Sequence, residues 1–288
     1  VSVLDFVSSW GLFARPYTLT LVAAPTLALL GVYAVARRQV FIAAAVPQAA
    51  VFGFALFSLL FGAHTIAVDG GLGQDAVILV CAVAAALATM LGGESSGSGG
   101  RLSNEEIIAF VFIAAGVGAT LILSHAPAGL ELARQLQASS VVGARWSDVA
   151  IFGATLAAFT SLLLWRRRAI VLFLTDPLMA AAIGMRVGVW NLVVTVISGV
   201  IIGLSVRSTG VMFTFGCLAL PVLIGKQLCS EVRALLLVSP LVAALSAFAG
   251  LWAAYTWDLP PGQAVVGLQS VTLVAAAGLR RLWSLPAR

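Results

Sequence analysis

Nine stretches of this chain are apolar enough and long enough to cross a lipid bilayer, and this repetition constrains the fold more than any single motif. A spanning helix needs about 20 apolar residues. The runs are Tyr17–Val35, Val40–Ala63, Ala76–Leu91, Ile107–Ser124, Val149–Trp165, Val189–Val206, Thr209–Leu228, Ala234–Trp257 and Ala264–Leu279. Several are short or contain proline, so eight spans result if one is re-entrant or interfacial. Lipid offers no water to backbone N–H and C=O groups, so a spanning segment must satisfy them internally. The expected fold is all-α, a polytopic membrane bundle of 8–9 transmembrane helices occupying residues 1–288 as one domain.

Composition narrows the function classes. Apolar residues make up 61% of the chain and charged residues 9%, against roughly 45–50% and about 25% in soluble domains. So few charges cannot coat a soluble surface. This excludes an ordinary cytosolic enzyme, a nucleic-acid binder, a disordered chain and a disulfide scaffold. The net charge of +5 has a membrane explanation, because basic residues gather in cytoplasmic loops. With nine spans, Arg37, Arg38, Arg101, Arg166, Arg167, Arg168, Arg186, Lys226, Arg233, Arg280, Arg281 and Arg288 share one side. Only Arg15, Arg134, Arg145 and Arg207 fall on the other. The first side, with the C-terminus and the Arg166–Arg186 segment, is expected in the cytoplasm.

The connections have distinct characters. Residues 1–16 lack the basic n-region of a cleavable signal and resemble an amphipathic lead-in on the membrane surface. Gly92–Gly100 is a flexible connector. Ser103 and Glu106 have capping-box spacing, so a helix should start there. Ala126–Trp146 is polar enough to lie outside the bilayer and is expected to hold a short interfacial helix. Pro260 and Pro261 force a turn between the last two runs. Gly199 and Gly203 form a GxxxG pair suited to a tight helix or subunit contact. Cys81, Cys217 and Cys229 lie in apolar runs without metal-type spacing and are read as buried small hydrophobes.

Chemistry has few places to sit. Ionisable residues within spans are the usual functional flag in membrane proteins, and here they are almost absent. Asp75, Glu106 and Asp148 sit at helix ends, and Lys226 and Arg207 lie close enough to ends to snorkel. His64 and His125 are the two histidines, so zinc hydrolysis and Ser-His-Asp catalysis are not expected. No Walker A sequence is present. Passive conduction, partner-powered transport and a structural role remain. One loop speaks for a partner. Asp176 and Pro177 fit an N-cap and first helical residue, Met179 to Ile183 are good helix formers, and Gly184 can end the helix. A short capped helix in a cytoplasmic loop is a docking knob for a soluble protein; a plain surface turn is the alternative.

The order of three blocks resembles the permease subunits of ABC importers for divalent metals, chiefly zinc and manganese. These are Thr175–Met185 (TDPLMAAAIGM), Ser208–Val211 through Leu218-Ala219-Leu220-Pro221, and Asp258-Leu259-Pro260-Pro261-Gly262. Arg101-Leu102-Ser103 at the start of the fourth run also fits. The resemblance implies a permease fold of the metal/vitamin B12 importer type. It makes residues 173–190 the cytoplasmic coupling element, with Asp176, Pro177, Met179, Ala180 and Gly184 as the residues that meet the ATPase. It implies a second permease copy, two ATP-binding cassette subunits, an extracytoplasmic substrate-binding protein, and residence in a bacterial inner membrane. The chain would bind no cofactor itself; ATP and magnesium would sit on the ATPase subunits.

One departure bears on the substrate. In the resembled family the second span carries an aspartate and, four residues on, a histidine that contribute to a metal site. Here Ala44 and Gln48 stand in those places. Alanine cannot bind metal and a neutral amide is a poor zinc ligand. Three readings stay open: a weakly coordinating pathway that relies on its receptor for selectivity, a metal complex or small organic substrate, and a partner permease that supplies the ligands. Gln48 is expected to face the central pathway. Met212 and Cys217 on the seventh run are further pathway candidates, and His64 and Asp69 are weak metal candidates in an outward loop. A secondary transporter or channel working alone is the competing class, disfavoured by the near absence of buried charge.

Overall fold

The computed structural model describes residues 3–36, 42–61, 72–95, 104–125, 137 and 144–284. Ten helices account for almost all of them. They are α1 (Val3–Ala36), α2 (Ile42–Phe61), α3 (Leu72–Ser95), α4 (Asn104–Ser124), α5 (Trp146–Thr175), α6 (Pro177–Ala182), α7 (Val187–Thr209), α8 (Val211–Leu228), α9 (Val232–Trp257) and α10 (Pro261–Ser284). Among the described residues, eight helices are long and apolar enough to cross a membrane, and α3 adds a shorter apolar stretch, Ala76–Thr89.

The expected runs reappear as helices with three changes. α3 continues beyond Leu91 through Gly92–Ser95, the first part of the stretch expected to be flexible. Residues 166–168 do not begin a loop. The helix passes through them to Thr175, with one non-helical residue at Arg166 (φ −112°, ψ 24°). The lead-in is continuous with the first span across a similar break at Phe13. Gln137 is the one described residue between His125 and Ala144, and its Nε2 donates to Thr120 Oγ1 on α4. Ser103, Arg134, His64 and Asp69 lie outside the described residues.

Turn chemistry explains the breaks. Gly210, at φ 84°, separates α7 from α8 in a conformation that L side chains rarely adopt. Asp258 ends α9 in the left-handed region (φ 52°) and Pro261 starts α10 where its missing N–H costs nothing. Prolines within spans are tolerated because nearby groups re-satisfy the freed backbone.

Short connections make consecutive helices run in opposite directions. The α6 end of the bundle therefore carries Arg166, Arg168, Arg186, Lys226, Arg233, Arg280 and Arg281, and Arg280 Nη1 donates to the Lys226 carbonyl there. Arg145 and Arg207 lie at the opposite end, the Gly210 end.

The helices form two groups. α2, α3, α4 and α7 pack mainly on one another, as do α1, α5, α8, α9 and α10; contacts between groups are thinner. Glycine sets the closest approaches, since small residues let backbones meet where lipid supplies no hydrophobic drive. A Cβ on Gly31 would overlap the Leu218 carbonyl. Gly199 and Gly203 meet Val83, Leu79 and Ala82 of α3, so the GxxxG pair serves packing within this chain. A Cβ on Gly250 would lie 2.6 Å from Val265 Cα. Gly250→Leu should therefore cost about 1–3 kcal/mol through overpacking, read as a lower melting temperature in detergent, whereas Gly267→Leu, with open space around it, should melt like the parent.

Candidate functional site

α6 is built as its residues require. The Asp176 N–H donates to the Leu172 carbonyl at 2.8 Å, closing α5. Its Oδ1 accepts from the Met179 N–H at 2.9 Å, opening α6, with Pro177 at the first position. The helix ends in a Schellman arrangement, with Met185 N–H on the Ala180 carbonyl and Gly184 N–H on the Ala181 carbonyl, both at 3.0 Å. Gly184 supplies the required positive φ of 88°.

The two faces of α6 differ. Ala180 is 0% exposed and turned onto the bundle, while Leu178 is 84%, Ile183 61% and Met179 53% exposed. Of the residues named from sequence, Asp176, Pro177 and Gly184 shape the helix, Ala180 seats it, and Met179 faces outward. Leu178 and Ile183 were missed. Nothing in the mostly apolar run Leu178–Ile183 marks which of its residues turn outward.

Above α6, Tyr33 stacks on Phe173 (centroids 6.2 Å, 11° between planes), and Phe173 meets Trp190 at 6.2 Å. Tyr33 Oη and Asn191 Oδ1 lie 2.7 Å apart, joined by the phenol proton. Beside them an apolar cavity of about 70 Å³ separates Phe159 and Leu163 of α5 from Trp190 and Val194 of α7.

At the Gly210 end an ion pair joins the same two helices. Arg207 Nη2 of α7 donates to Asp148 Oδ1 of α5, with the side chains 15% and 4% exposed. Asp148 Oδ2 also accepts the Arg145 N–H at 3.1 Å. Sequence reading placed both residues singly, at helix ends. Nothing in a spacing of 59 residues signals that they meet. Next to the pair, Ser205 Oγ lies 2.9 Å from Thr209 Oγ1 and 2.7 Å from Thr214 Oγ1, a buried hydroxyl cluster across the α7–α8 joint. A recess of about 850 Å³ opens at this end, lined by Arg15, Tyr17, Trp146, Tyr255 and Asp258 among others.

The pathway candidates separate. Ala44 and Gln48 are both buried in α2, and the Gln48 amide lies against Gly116 of α4, where a Cβ would stand 3.3 Å from Oε1. Gln48 Oε1 has no hydrogen-bond partner among the described residues. Met212 is exposed and Cys217 is buried, on different faces of α8. Gln269 Nε2 donates to Ser246 Oγ at 3.0 Å and lies 3.7 Å from Cys217 Sγ. Cys81 and Cys229 are partly buried. His125 is hydrogen-bonded to the Leu121 carbonyl at 2.9 Å, at the end of α4. Among the described residues no group of three or more His, Cys, Asp or Glu could hold a metal ion.

The sequence pattern of the ABC 3 transport family matches residues 12–279. A Thermotoga maritima membrane protein named for a metal transport system is 30% identical over 128 residues. That match covers 44% of this chain and 45% of the relative, so the chain spans under half the length of the curated protein it matches. Among solved structures, PsaBC from Streptococcus pneumoniae in complex with Fab superposes with a TM-score of 0.76 at 14% identity, over 96% of this chain and 95% of that one. A transporter described as of the metal-chelate ABC type, in an inward-facing conformation, superposes with a TM-score of 0.66 at 18% identity, over 97% and 88%.

An unpaired buried amide oxygen costs about 1–3 kcal/mol. Gln48→Leu should accordingly raise the melting temperature of the detergent-solubilised protein. A fall instead would mean that water or a partner group satisfies Gln48 in the membrane.

Proposed function

Since this chain belongs to the ABC 3 transport family, we propose that it is the permease subunit of an ATP-driven importer of divalent metal, zinc or manganese. The observation that carries the coupling half of this reading is α6: a capped helix seated by Ala180 that turns Leu178, Met179 and Ile183 outward at the basic end. Apolar anchors on a rigid short helix suit a pocket in a soluble partner, here an ATP-binding cassette subunit that brings its own ATP and magnesium. The basic residues at that end support a cytoplasmic placement of α6 and of the C-terminus in a bacterial inner membrane. The opposite end, with its large recess, then faces the substrate-binding protein. A second permease copy completes the pathway.

Metal as cargo draws support from the Thermotoga maritima relative, whose name is that of a metal transport system membrane protein. Selectivity would rest mainly on the binding protein, since Ala44 and Gln48 offer no strong ligand and weak sites favour fast release. A metal complex or small organic substrate is the second reading, favoured by Ala44 and Gln48 standing where the resembled family carries aspartate and histidine.

Two outcomes test these halves. Leu178→Arg should reduce co-purification of the ATPase subunits by about tenfold or more, while the permease itself keeps its melting temperature; full retention of the ATPases would sink the docking reading. Whole-cell zinc, manganese, iron and copper, measured in a deletion strain and its complemented parent under metal limitation, should show a selective fall in zinc or manganese that complementation restores. No change in any metal would move the cargo to a small organic substrate.

A further inference from the structure

We propose that the Asp148–Arg207 ion pair is the pivot about which α5 and α7 carry the movement of α6 through the bundle; this rests on the reading that α6 docks the ATPase subunits. α5 belongs to one group of helices and α7 to the other. They are joined at one end by α6 and at the other by the ion pair. Between these ties lies an apolar pocket lined by Phe159 and Leu163 on α5 and by Trp190 and Val194 on α7. The two helices therefore form a frame tied at both ends.

The ends of the frame resist displacement differently. Charges taken out of water are strongly destabilising once separated, because each is left buried and unpaired. Asp148 is held on both oxygens, by Arg207 and by the Arg145 N–H. The hydroxyl cluster of Ser205, Thr209 and Thr214 ties α7 to α8 two to seven residues from Arg207 in sequence. Relative motion of the two groups is penalised there. At the α6 end the ties include the Tyr33–Phe173 and Phe173–Trp190 ring contacts and the Tyr33–Asn191 hydrogen bond; these are neutral, and ring and dispersion contacts lose little on sliding. The non-helical residue at Arg166 and the positive-φ Gly184 stand on either side of α6 as joints. A push on α6 then rotates α5 against α7 about the Asp148–Arg207 end. By the reciprocity of coupling, a change at that end is felt at α6. Asp148 and Arg207 are positioning residues in this scheme and touch no cargo.

The test uses the assembled transporter, permease with ATPase and binding protein, reconstituted in liposomes. Spin labels at Ser147 and Val80 report the Gly210 end across the two groups, and labels at Arg168 and Val189 report the α6 end. Native cysteines are replaced first. On trapping with ATP, magnesium and vanadate, the Arg168–Val189 distance should change and the Ser147–Val80 distance should not. Equal change at both ends, or none at either, overturns the pivot. In parallel, Asp148→Asn should lower stimulation of ATP hydrolysis by the binding protein about fivefold or more with the ATPase subunits still bound, and Asp148→Glu should restore part of it. Full stimulation in Asp148→Asn overturns the proposal. Should that variant fail to assemble, the distances measured with the pair intact decide. Leu178→Arg separates the two readings. If it releases the ATPases while Asp148→Asn keeps full stimulation, the pivot alone is lost; if it releases nothing, the docking reading is lost first.

Discussion

Every helix here answers to the same constraint: a backbone group buried in lipid has no water to turn to, so it must be bonded within the chain. The chain is therefore helical nearly wherever it is described, and it breaks only where a residue makes the break affordable. Gly210 and Gly184 take a positive φ, Asp258 takes the left-handed region at a cap, and Asp176 closes one helix while opening the next. Buried hydroxyls follow the same rule. Thr20, Thr26, Thr209 and Thr214 each donate to the carbonyl four residues back.

Satisfied helices do not by themselves say how they pack. Lipid is as apolar as leucine, so association depends on close fit and a few polar contacts. The glycines at 31, 199, 203 and 250 fix the closest approaches inside each group of helices. Between groups the contacts are fewer, and polar ties are found at both ends. One end has the ion pair and the hydroxyl cluster; the other has Tyr33–Asn191 and α6. The division leaves two groups of helices joined by limited connections.

Local features were legible from sequence. The spanning runs, the Asp176–Pro177 cap, the glycine end of α6 and the Asp258–Gly262 turn each depend on a few adjacent residues, and each appears in the structure. Features requiring a partner far along the chain were not. Asp148 and Arg207 looked like two helix-end charges. Ala180 looked like part of a docking surface, whereas it seats α6 and leaves Leu178 and Ile183 to face outward. Residues 166–168 looked like a loop because three arginines end the apolar run, yet arginine is a good helix former and the helix continues at the bundle's edge. The site of Ala44 and Gln48 was located on α2 by sequence, but that the Gln48 amide rests on Gly116 depends on how α2 meets α4.

Sequence alone determined that this chain crosses a membrane as helices, roughly where each crossing lies, which end is basic, and that one loop carries a capped helix. Those properties follow from hydropathy, charge and cap chemistry, all local along the chain. Only the tertiary structure decided which helices form each group, that a buried charge finds its opposite 59 residues away, and which face of α6 is free. Those properties depend on burial, and burial is set by neighbours that arrive from elsewhere in the chain.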